Sequence, residues 1–428
     1  MITRVKISSY KSLRQLEVKL EPLSVLIGKN AAGKSNFLDA LQLLTAFTSA
    51  KTLDEAFAPP YRGAPLESFS FDSDGMKGLL GRDRASFCIE VDVELSPQTI
   101  EKVNDQIAQM RGYENGAAKS QSAVRERFLR YGLEIEILPK AGFLRVADEY
   151  LLALTPTGEP NKKRIPFLEL DSGKKQFRLR MEKQAHPTYH DRYLNHTIVS
   201  TSLYAPHYPH ITALREELAN WRFFYFEPRE HMRARSSVRE VRHIGLMGEN
   251  LAAFLNTLRS RDALQYKAIQ KAIHLLIPSI TGLETEINDL GEVELKVIEG
   301  TTSVPASILS EGTLRMIGLL TLVGTKESPT LIGFEEPENG IHPHRIQLVA
   351  ELLNTRRMIG GTQIIVTTHS PILLNYLPLD SLFECVRVDG STQIGPVFER
   401  ASLLKMLEQG ESDALPISER VLRGDLGA

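Results

Sequence analysis

Cysteine is nearly absent: Cys88 and Cys385 are the only two in 428 residues, and they stand in no CxxC or Cys/His pair spacing. That excludes a disulfide framework and a zinc module, and it points to a reducing compartment, the cytoplasm. Long apolar runs are missing as well. No window reaches the roughly 18 consecutive apolar residues of a membrane span, and the opening MITRVKISSY lacks the apolar stretch of a secretory leader. The expectation is a soluble, unprocessed chain with no membrane partner. Nor does one sign of charge dominate. Lys and Arg (51) against Asp and Glu (53) give a formal net charge of −2, which excludes a chain whose main occupation is holding nucleic acid by charge alone. No internal repeat of about 20–50 residues is visible, so a solenoid is not in view.

What is present is a 42% apolar, 24% charged chain, long enough to bury more than one domain's core and too apolar for a disordered one. Its charge is uneven: residues 101–242 hold 24 Lys and Arg against 18 Asp and Glu, leaving 27 against 35 elsewhere. A basic middle set in an acidic frame is compatible with a functional basic face and with ordinary variation.

Apolar periodicity predicts short strands over 4–7 and 15–20 and an apolar strand over 23–27, which runs into a Gly-containing turn. A helix follows, with Phe37, Leu38, Leu41, Leu43 and Leu44 at helical spacing. Residues 58–73 read as loop, 86–95 as a strand with clean alternation, 98–110 as a helix and 115–122 as a Gly/Ala/Ser/Gln loop. An aromatic strand opens at Trp221. Further elements are predicted as helices over 250–258 and 269–277, a strand pair over 283–287 and 293–298, a helix over 311–323, a strand over 330–334, a helix over 344–357 and a strand over 363–367. Alternating strands and helices indicate an α/β core around a mainly parallel sheet. The division expected is 1–95 and 222–428 as two parts of one head, with 96–221 as an inserted α+β lobe.

Gly28-Lys29-Asn30-Ala31-Ala32-Gly33-Lys34-Ser35 fits G-x-x-x-x-G-K-[ST] between a buried strand and an amphipathic helix. Successive backbone N–H groups and a helix N-terminus present positive partial charge to a polyphosphate. Gly28 and Gly33 permit the tight curve, Lys34 places an ammonium at the β- and γ-phosphates, and the Ser35 hydroxyl can ligate Mg²⁺. Later in the chain, the apolar run 330–334 ends in Glu335-Glu336-Pro337-Glu338-Asn339. Side chains alternate along a strand, so Glu335 and Glu336 should point differently. One could hold Mg²⁺ through water while the other polarises the attacking water.

Together these residues resemble an ABC-type ATPase of the RecF/SMC branch, in particular the RecF-like ATPases that also form the motor part of OLD-family nucleases. The loop with Asn30 and Asn36 is similar to that family's G-x-N-G-x-G-K-S-N. Leu309-Ser310-Glu311-Gly312-Thr313 is similar to its shortened signature, Glu335-Glu336-Pro337-Glu338 to its acidic segment, Asn339 to Pro343 to its D-loop, and His369 in Thr367-Thr368-His369-Ser370-Pro371 to its switch histidine. Gly248-Glu249-Asn250-Leu251 also resembles a RecF-like segment. The resemblance covers roughly 1–95 and 222–390 and implies a P-loop NTPase fold of the ABC-ATPase head type. It implies hydrolysis of ATP with Mg²⁺, in which Glu336 activates water, Lys34 and His369 stabilise γ-phosphate charge, and Ser35 and Glu335 hold the metal. Residues 28–36 would bind the nucleotide, and Ser310 and Gly312 would face the γ-phosphate held by a second protomer. Ser310 can cap the apolar-periodic helix that follows it, whose N-terminus is a second anion site. An ATP-dependent homodimer places two helix N-termini on one triphosphate.

The departures from the pattern are Ala31 in place of Gly, which confines that backbone to ordinary φ unless strained, Glu335 in place of Asp, and Glu311 in place of Gly. No Q-loop glutamine is identifiable, and Arg62-Gly63 is the substitute considered. His186, His190, His196, His207 and His210, with Asp191, read as a polar surface loop or a metal site. Arg229, Arg233, Arg235, Arg239 and Arg242 read as phosphate contacts to a nucleic acid or as partners of local Glu230 and Glu240. Nuclease relatives carry a Toprim domain with a D-x-D cluster, which the residues after His369 lack. Two roles follow. One is DNA repair or genome maintenance, with double-stranded DNA reached by the inserted lobe; the other is an anti-phage scaffold or sensor that controls an effector protein encoded nearby.

Overall fold

In the computed structural model of the chain, residues 1–112, 122–182, 184, 186–323, 329–397 and 416–423 are described. The chain forms two compact units. The first comprises Met1–Glu21, Asn30–Trp221 and Cys385–Gly395; the second comprises Pro22–Lys29, Arg222–Glu384 and Pro396–Ala428.

The first unit is built on alternation. Strands β1 (Ile2–Tyr10), β2 (Leu13–Lys19), β4 (Ala85–Glu94), β5 (Phe128–Leu138), β6 (Phe143–Ala153), β7 (Leu168–Asp171), β8 (Gln176–Leu179) and β9 (Thr188–Asp191) form an antiparallel sheet in the order β2-β1-β4-β5-β6-β7-β8-β9. Val5, Ile7, Phe87, Ile89 and Val91 turn to the core, whereas Lys6 and Glu17 face solvent. Helix α1 (Lys34–Phe47) buries Phe37, Leu38, Leu41, Leu44 and Phe47, and Phe47 stacks on Phe87 of β4 at 6.4 Å. Each such ring contributes about 1.5–3 kcal/mol by leaving water. Helix α2 (Pro97–Met110) starts where Ser96 Oγ accepts the Thr99 N–H at 3.1 Å. Helix α3 (Pro209–Ala219) carries the buried Glu217, which accepts hydrogen bonds from Ser96 and Thr99.

In the second unit, β10 (Trp221–Phe224), β15 (Leu331–Glu335), β16 (Gln363–Thr368), β3 (Leu23–Ile27) and β17 (Leu382–Val388) lie in that order, and β15, β16, β3 and β17 are parallel to their neighbours. Strands covered on both faces read as unbroken apolar runs, and every residue of β3, β15 and β16 is buried. Phe334 anchors this core between Phe224 and Phe226. A second sheet has β13 (Glu292–Glu299) between β11 (Ser236–Ser237) and β12 (Gly282–Ile287), with β14 (Thr302–Pro305) also on β13. The longer helices are α4 (Leu251–Arg261), α5 (Ala263–Leu276), α6 (Glu311–Val323) and α7 (Pro343–Ile359). The first unit's segment Cys385–Gly395 carries the end of β17 and most of β18 (Ser391–Pro396), joined by Asp389-Gly390, both at positive φ (49° and 76°), as a two-residue hairpin turn demands.

Several predicted elements change length for identifiable reasons. The helix expected over 269–277 begins at Ala263 because Asp262 caps it, Oδ1 accepting from Gln265 N at 3.0 Å. The aromatic strand stops at Phe224. Tyr225 and Glu227 instead donate their N–H groups to Leu246 and Met247. Glu335, placed after its strand by periodicity, is the last strand residue. Strand β5, inside the segment 96–221, pairs with β4 from Ala85↔Ile137 to Glu94↔Phe128, so these strands extend the sheet that β1 and β2 begin. Most of the loop expected over 115–122 lies outside the described residues. Among the described residues no helix is long and apolar enough to cross a membrane.

Candidate functional site

Three of the predicted motifs leave one edge of the second unit's sheet. Strands β3, β16 and β15 are parallel neighbours in register, with Ile27 opposite Thr368 and Thr367 opposite Glu335. Gly28, His369 and Glu336 therefore emerge at adjacent C-terminal strand ends, where open parallel sheets bind their ligands.

The loop that starts at Gly28 has the backbone a phosphate cradle needs. Gly28 (φ 159°) and Gly33 (φ 106°) bracket it, and α1 opens at Lys34 with no side-chain cap from Gly33, as an anion-binding helix start requires. Ala31 departs from the ordinary φ expected of a residue with a Cβ: it sits at φ 62°, in the left-handed region, at a cost of about 1–2 kcal/mol. The closure of the loop outweighs that preference. The next carbonyl, of Ala32, is held by Thr392 Oγ1 at 2.8 Å and by Cys385 Sγ at 3.4 Å. Lys34 is buried, and the Asn36 amide donates to Ser12 Oγ at 2.8 Å.

Glu335 is buried at the end of β15, whereas the Glu336 side chain is 27% exposed, so the two carboxylates do face different surroundings. Glu336 also takes a left-handed φ of 49°, which turns the chain out of the strand while its N–H still donates to Thr367 O at 2.9 Å. Its Oε1 lies 2.8 Å from His369 Nε2, which brings the expected base and the expected switch histidine into one hydrogen-bonded pair.

Glu338 was not singled out by the sequence beyond its place in the acidic segment. It is buried, and its Oε1 accepts from Thr368 Oγ1 at 2.5 Å and from the N–H groups of His369 and Ser370 at 3.3 Å each. It thus grips the turn that carries His369. Its Oε2 is buried without a hydrogen-bond partner, and burial raises the carboxyl's pKa. The repeated carboxylate of E-P-E was the available signal.

Ser310 caps α6: its Oγ accepts from Thr313 N at 3.2 Å. At Gly312, a Cβ would overlap the carbonyl oxygen of Gly340, so the glycine lets the first turn of α6 touch the 339–341 loop. Each arginine of the run has a partner within the chain, and Arg229, Arg235 and Arg242 make theirs at the surface. Arg229 pairs with Glu311 at 2.5 Å, Arg233 with Leu309 O, Arg235 with Glu294, Arg239 with Asn250 and Arg242 with Glu240. Of the two local partners expected, Glu240 is used. Arg62 lies 3.7 Å from Asp39 of α1.

Among the described residues no group of three or more His, Cys, Asp or Glu is placed to hold a metal ion. His210 is not on a surface loop. It is buried, its Nδ1 bonds Glu182, and its Nε2 accepts the Arg125 and Glu126 N–H groups. The Ser35 hydroxyl and Glu335 carboxylate are hard oxygen donors. Each by itself is the kind of ligand Mg²⁺ takes alongside water and phosphate.

A family model described as "AAA domain, putative AbiEii toxin, Type IV TA system" matches residues 158–375, and one described as "AAA ATPase domain" matches residues 1–208. The DNA replication and repair protein RecF of Bacillus mycoides (strain KBAB4) is 28% identical over 93 residues, which are 22% of this chain and 23% of that protein. The chain thus matches less than a quarter of this curated relative's length. Three solved structures of Smc heads are similar. The SmcHead bound to the C-winged helix domain of ScpA has a TM-score of 0.49 at 12% identity, over 92% of this chain and 97% of that one. The Smc head with an extended coiled coil, bound to the C-terminal domain of ScpA derived from Pyrococcus furiosus, has a TM-score of 0.48 at 12% identity, over 95% and 98%. The SMC head domain from Thermotoga maritima has a TM-score of 0.42 at 14% identity, over 92% and 98%.

Proposed function

This chain belongs to the AAA-domain family whose model spans residues 158–375 and to the ABC/SMC-type ATPase superfamily, and from that premise we propose that it hydrolyses ATP to ADP and phosphate within a nucleotide-sandwiched homodimer. The observation that carries the reading is the convergence of Gly28, Glu336 and His369 at three adjacent parallel strand ends, with Glu336 and His369 paired at 2.8 Å.

The loop 28–36 cradles the phosphates through backbone N–H groups, and Lys34 sits where negative charge accumulates. Glu336 orients the attacking water and accepts its proton. His369 Nε2, which carries the hydrogen shared with Glu336, fixes the carboxylate's direction and lies beside the γ-phosphate. Glu338 keeps His369 in place. Ser35 and Glu335 would hold Mg²⁺, which would supply neutralisation of phosphate charge. Ser310 and Gly312 present the start of α6 to the nucleotide of the partner protomer. Little covalent work falls to the protein; positioning and charge stabilisation supply the rate.

Glu336→Gln is expected to keep ATP binding and to accumulate an ATP-dependent dimer, read by light scattering with and without ATP. A variant that stays monomeric in ATP contradicts the dimer.

The RecF match supports a role in DNA repair or genome maintenance, with double-stranded DNA as partner. ATPase activity stimulated by DNA and weakened by salt is the expected outcome. A second reading, control of an effector protein in a defence system, is favoured by the toxin–antitoxin wording of the matching family's description. Salt-insensitive activity together with co-purification of one protein from the native host supports that reading.

A further inference from the structure

We propose that Ser12 and Thr392 are positioning residues for the phosphate-binding loop: a buried chain of hydroxyl groups that straps the loop to α1 from behind. The proposal rests on the nucleotide reading above. Four groups form the strap. Asn36 Nδ2 donates to Ser12 Oγ at 2.8 Å, Ser12 Oγ lies 2.7 Å from Thr392 Oγ1, and Thr392 Oγ1 donates to Ala32 O at 2.8 Å.

Proton counting sets the direction. Thr392 has one hydroxyl hydrogen, and the Ala32 carbonyl can only accept, so that hydrogen points to Ala32. Ser12 must then donate to Thr392, and its lone pairs take the Asn36 amide. The result is a one-way relay from Asn36 through Ser12 and Thr392 to Ala32, all within the first unit. Its two ends lie on either side of Gly33-Lys34-Ser35, so the relay fixes the span between the cradle and the first turn of α1. Ser12, Thr392 and Ala32 are buried, so these bonds are shielded from competition with water and each strengthens the next. The Thr392 N–H also donates to Ser12 O at 2.8 Å, which locks the two carriers together.

Two local features fit the strap. A Cβ on Gly33 would overlap Thr392 Oγ1, so the glycine is required by the close approach of Thr392 as well as by φ. Ala31 holds a left-handed φ one residue before the strapped carbonyl, and such a conformation persists where its surroundings over-determine it. The Asp389-Gly390 hairpin delivers Thr392 to this place from the far end of the chain.

The test compares Thr392→Val, which keeps the shape and removes the hydroxyl, with Thr392→Ser, which keeps the hydroxyl, and with Ser12→Ala. Binding of a non-hydrolysable ATP analogue with Mg²⁺ is measured by calorimetry, alongside thermal melting without nucleotide. Thr392→Val and Ser12→Ala are expected to weaken binding about tenfold, the loss of one to two hydrogen bonds, and Thr392→Ser to stay within about twofold of the original. Binding by Thr392→Val and Ser12→Ala equal to the original overturns the strap, even where melting falls. Equal losses in the Ser and Val variants at position 392 overturn it too, since methyl packing would then be the cause. Lys34→Ala separates the two claims: if it binds the analogue as well as the original chain, or the original does not bind, the nucleotide reading itself fails.

Discussion

The outer face of the long antiparallel sheet and the ends of the parallel strands both gather buried charge, and they neutralise it in opposite ways. On the antiparallel sheet, Asp92 sits between Arg4 at 2.9 Å and Arg130 at 2.6 Å, and Arg4 reaches on to Glu17 and Glu90. The hydrogen bond to Asp92 raises the Arg130 pKa. Four basic side chains (Arg4, Lys6, Lys19, Arg130) face four acidic ones (Glu17, Glu90, Asp92, Glu159) around an open cavity of about 610 Å³. At the parallel strand ends, Glu338 is buried against a hydroxyl and two amides, and the charge beside it is that of Glu336, of like sign. Where opposite charges meet inside the fold, the cluster holds strands together. At the strand ends the carboxylates are held by a hydroxyl, backbone N–H groups and a histidine ring.

Breaking the first kind of cluster should damage stability and spare chemistry. Asp92→Ala removes the carboxylate between two half-buried guanidinium groups that keep Glu90 as a partner, and unfolding of the first unit is expected to become easier by about 2 kcal/mol. Denaturant titration followed through hydrogen exchange in β1 and β4 measures this, and nucleotide affinity should stay within about twofold. A large loss of affinity would erase the contrast.

Glu149 offers a pH test of the same unit. It is wholly buried, and burial pushes its carboxyl up to about 7 despite hydrogen bonds from the Ile198 and Val199 N–H groups and the Tyr131 hydroxyl. A raised carboxyl favours the protonated fold. Stability is therefore undiminished below the ordinary value of about 4.5 and falls as pH rises towards and through 7, by on the order of 3 kcal/mol. Unfolding measured from pH 5 to pH 8 should show that decline, and Glu149→Gln should flatten it. An unchanged slope in the variant would remove Glu149 from the account.

Glu338→Gln acts on the second kind of cluster. The amide oxygen can still accept from the His369 turn, but weakly, and kcat is expected to fall about tenfold, the loss of about one charge-assisted hydrogen bond. The KM for ATP should move little. A rise in KM without loss of kcat would place Glu338 in nucleotide binding instead.

Local signals carried most of the site. The phosphate loop lies within nine consecutive residues between a buried strand and an amphipathic helix, and the acidic segment and His369 each end an apolar run. Ser310 was legible as a cap because caps depend on the next three residues. Long-range pairing was not legible. Nothing local to residues 128–138 says that they lie along β4, and nothing near residue 392 announces a contact with Ala32. Ala31 escaped because loop closure outweighs its intrinsic φ preference. Glu338 looked like a repeat of its neighbours until the His369 turn folded over it. For the basic run 229–242, the carboxylate partners Glu294 and Glu311 were not legible because they are remote in sequence.

The central claim is that Glu336, paired with His369, performs the hydrolysis. Single-turnover release of phosphate from ATP, with bound nucleotide measured in the same sample, tests it most directly. Glu336→Gln should slow release by about 100-fold or more while nucleotide occupancy stays as in the original chain. Release at the original rate would contradict it.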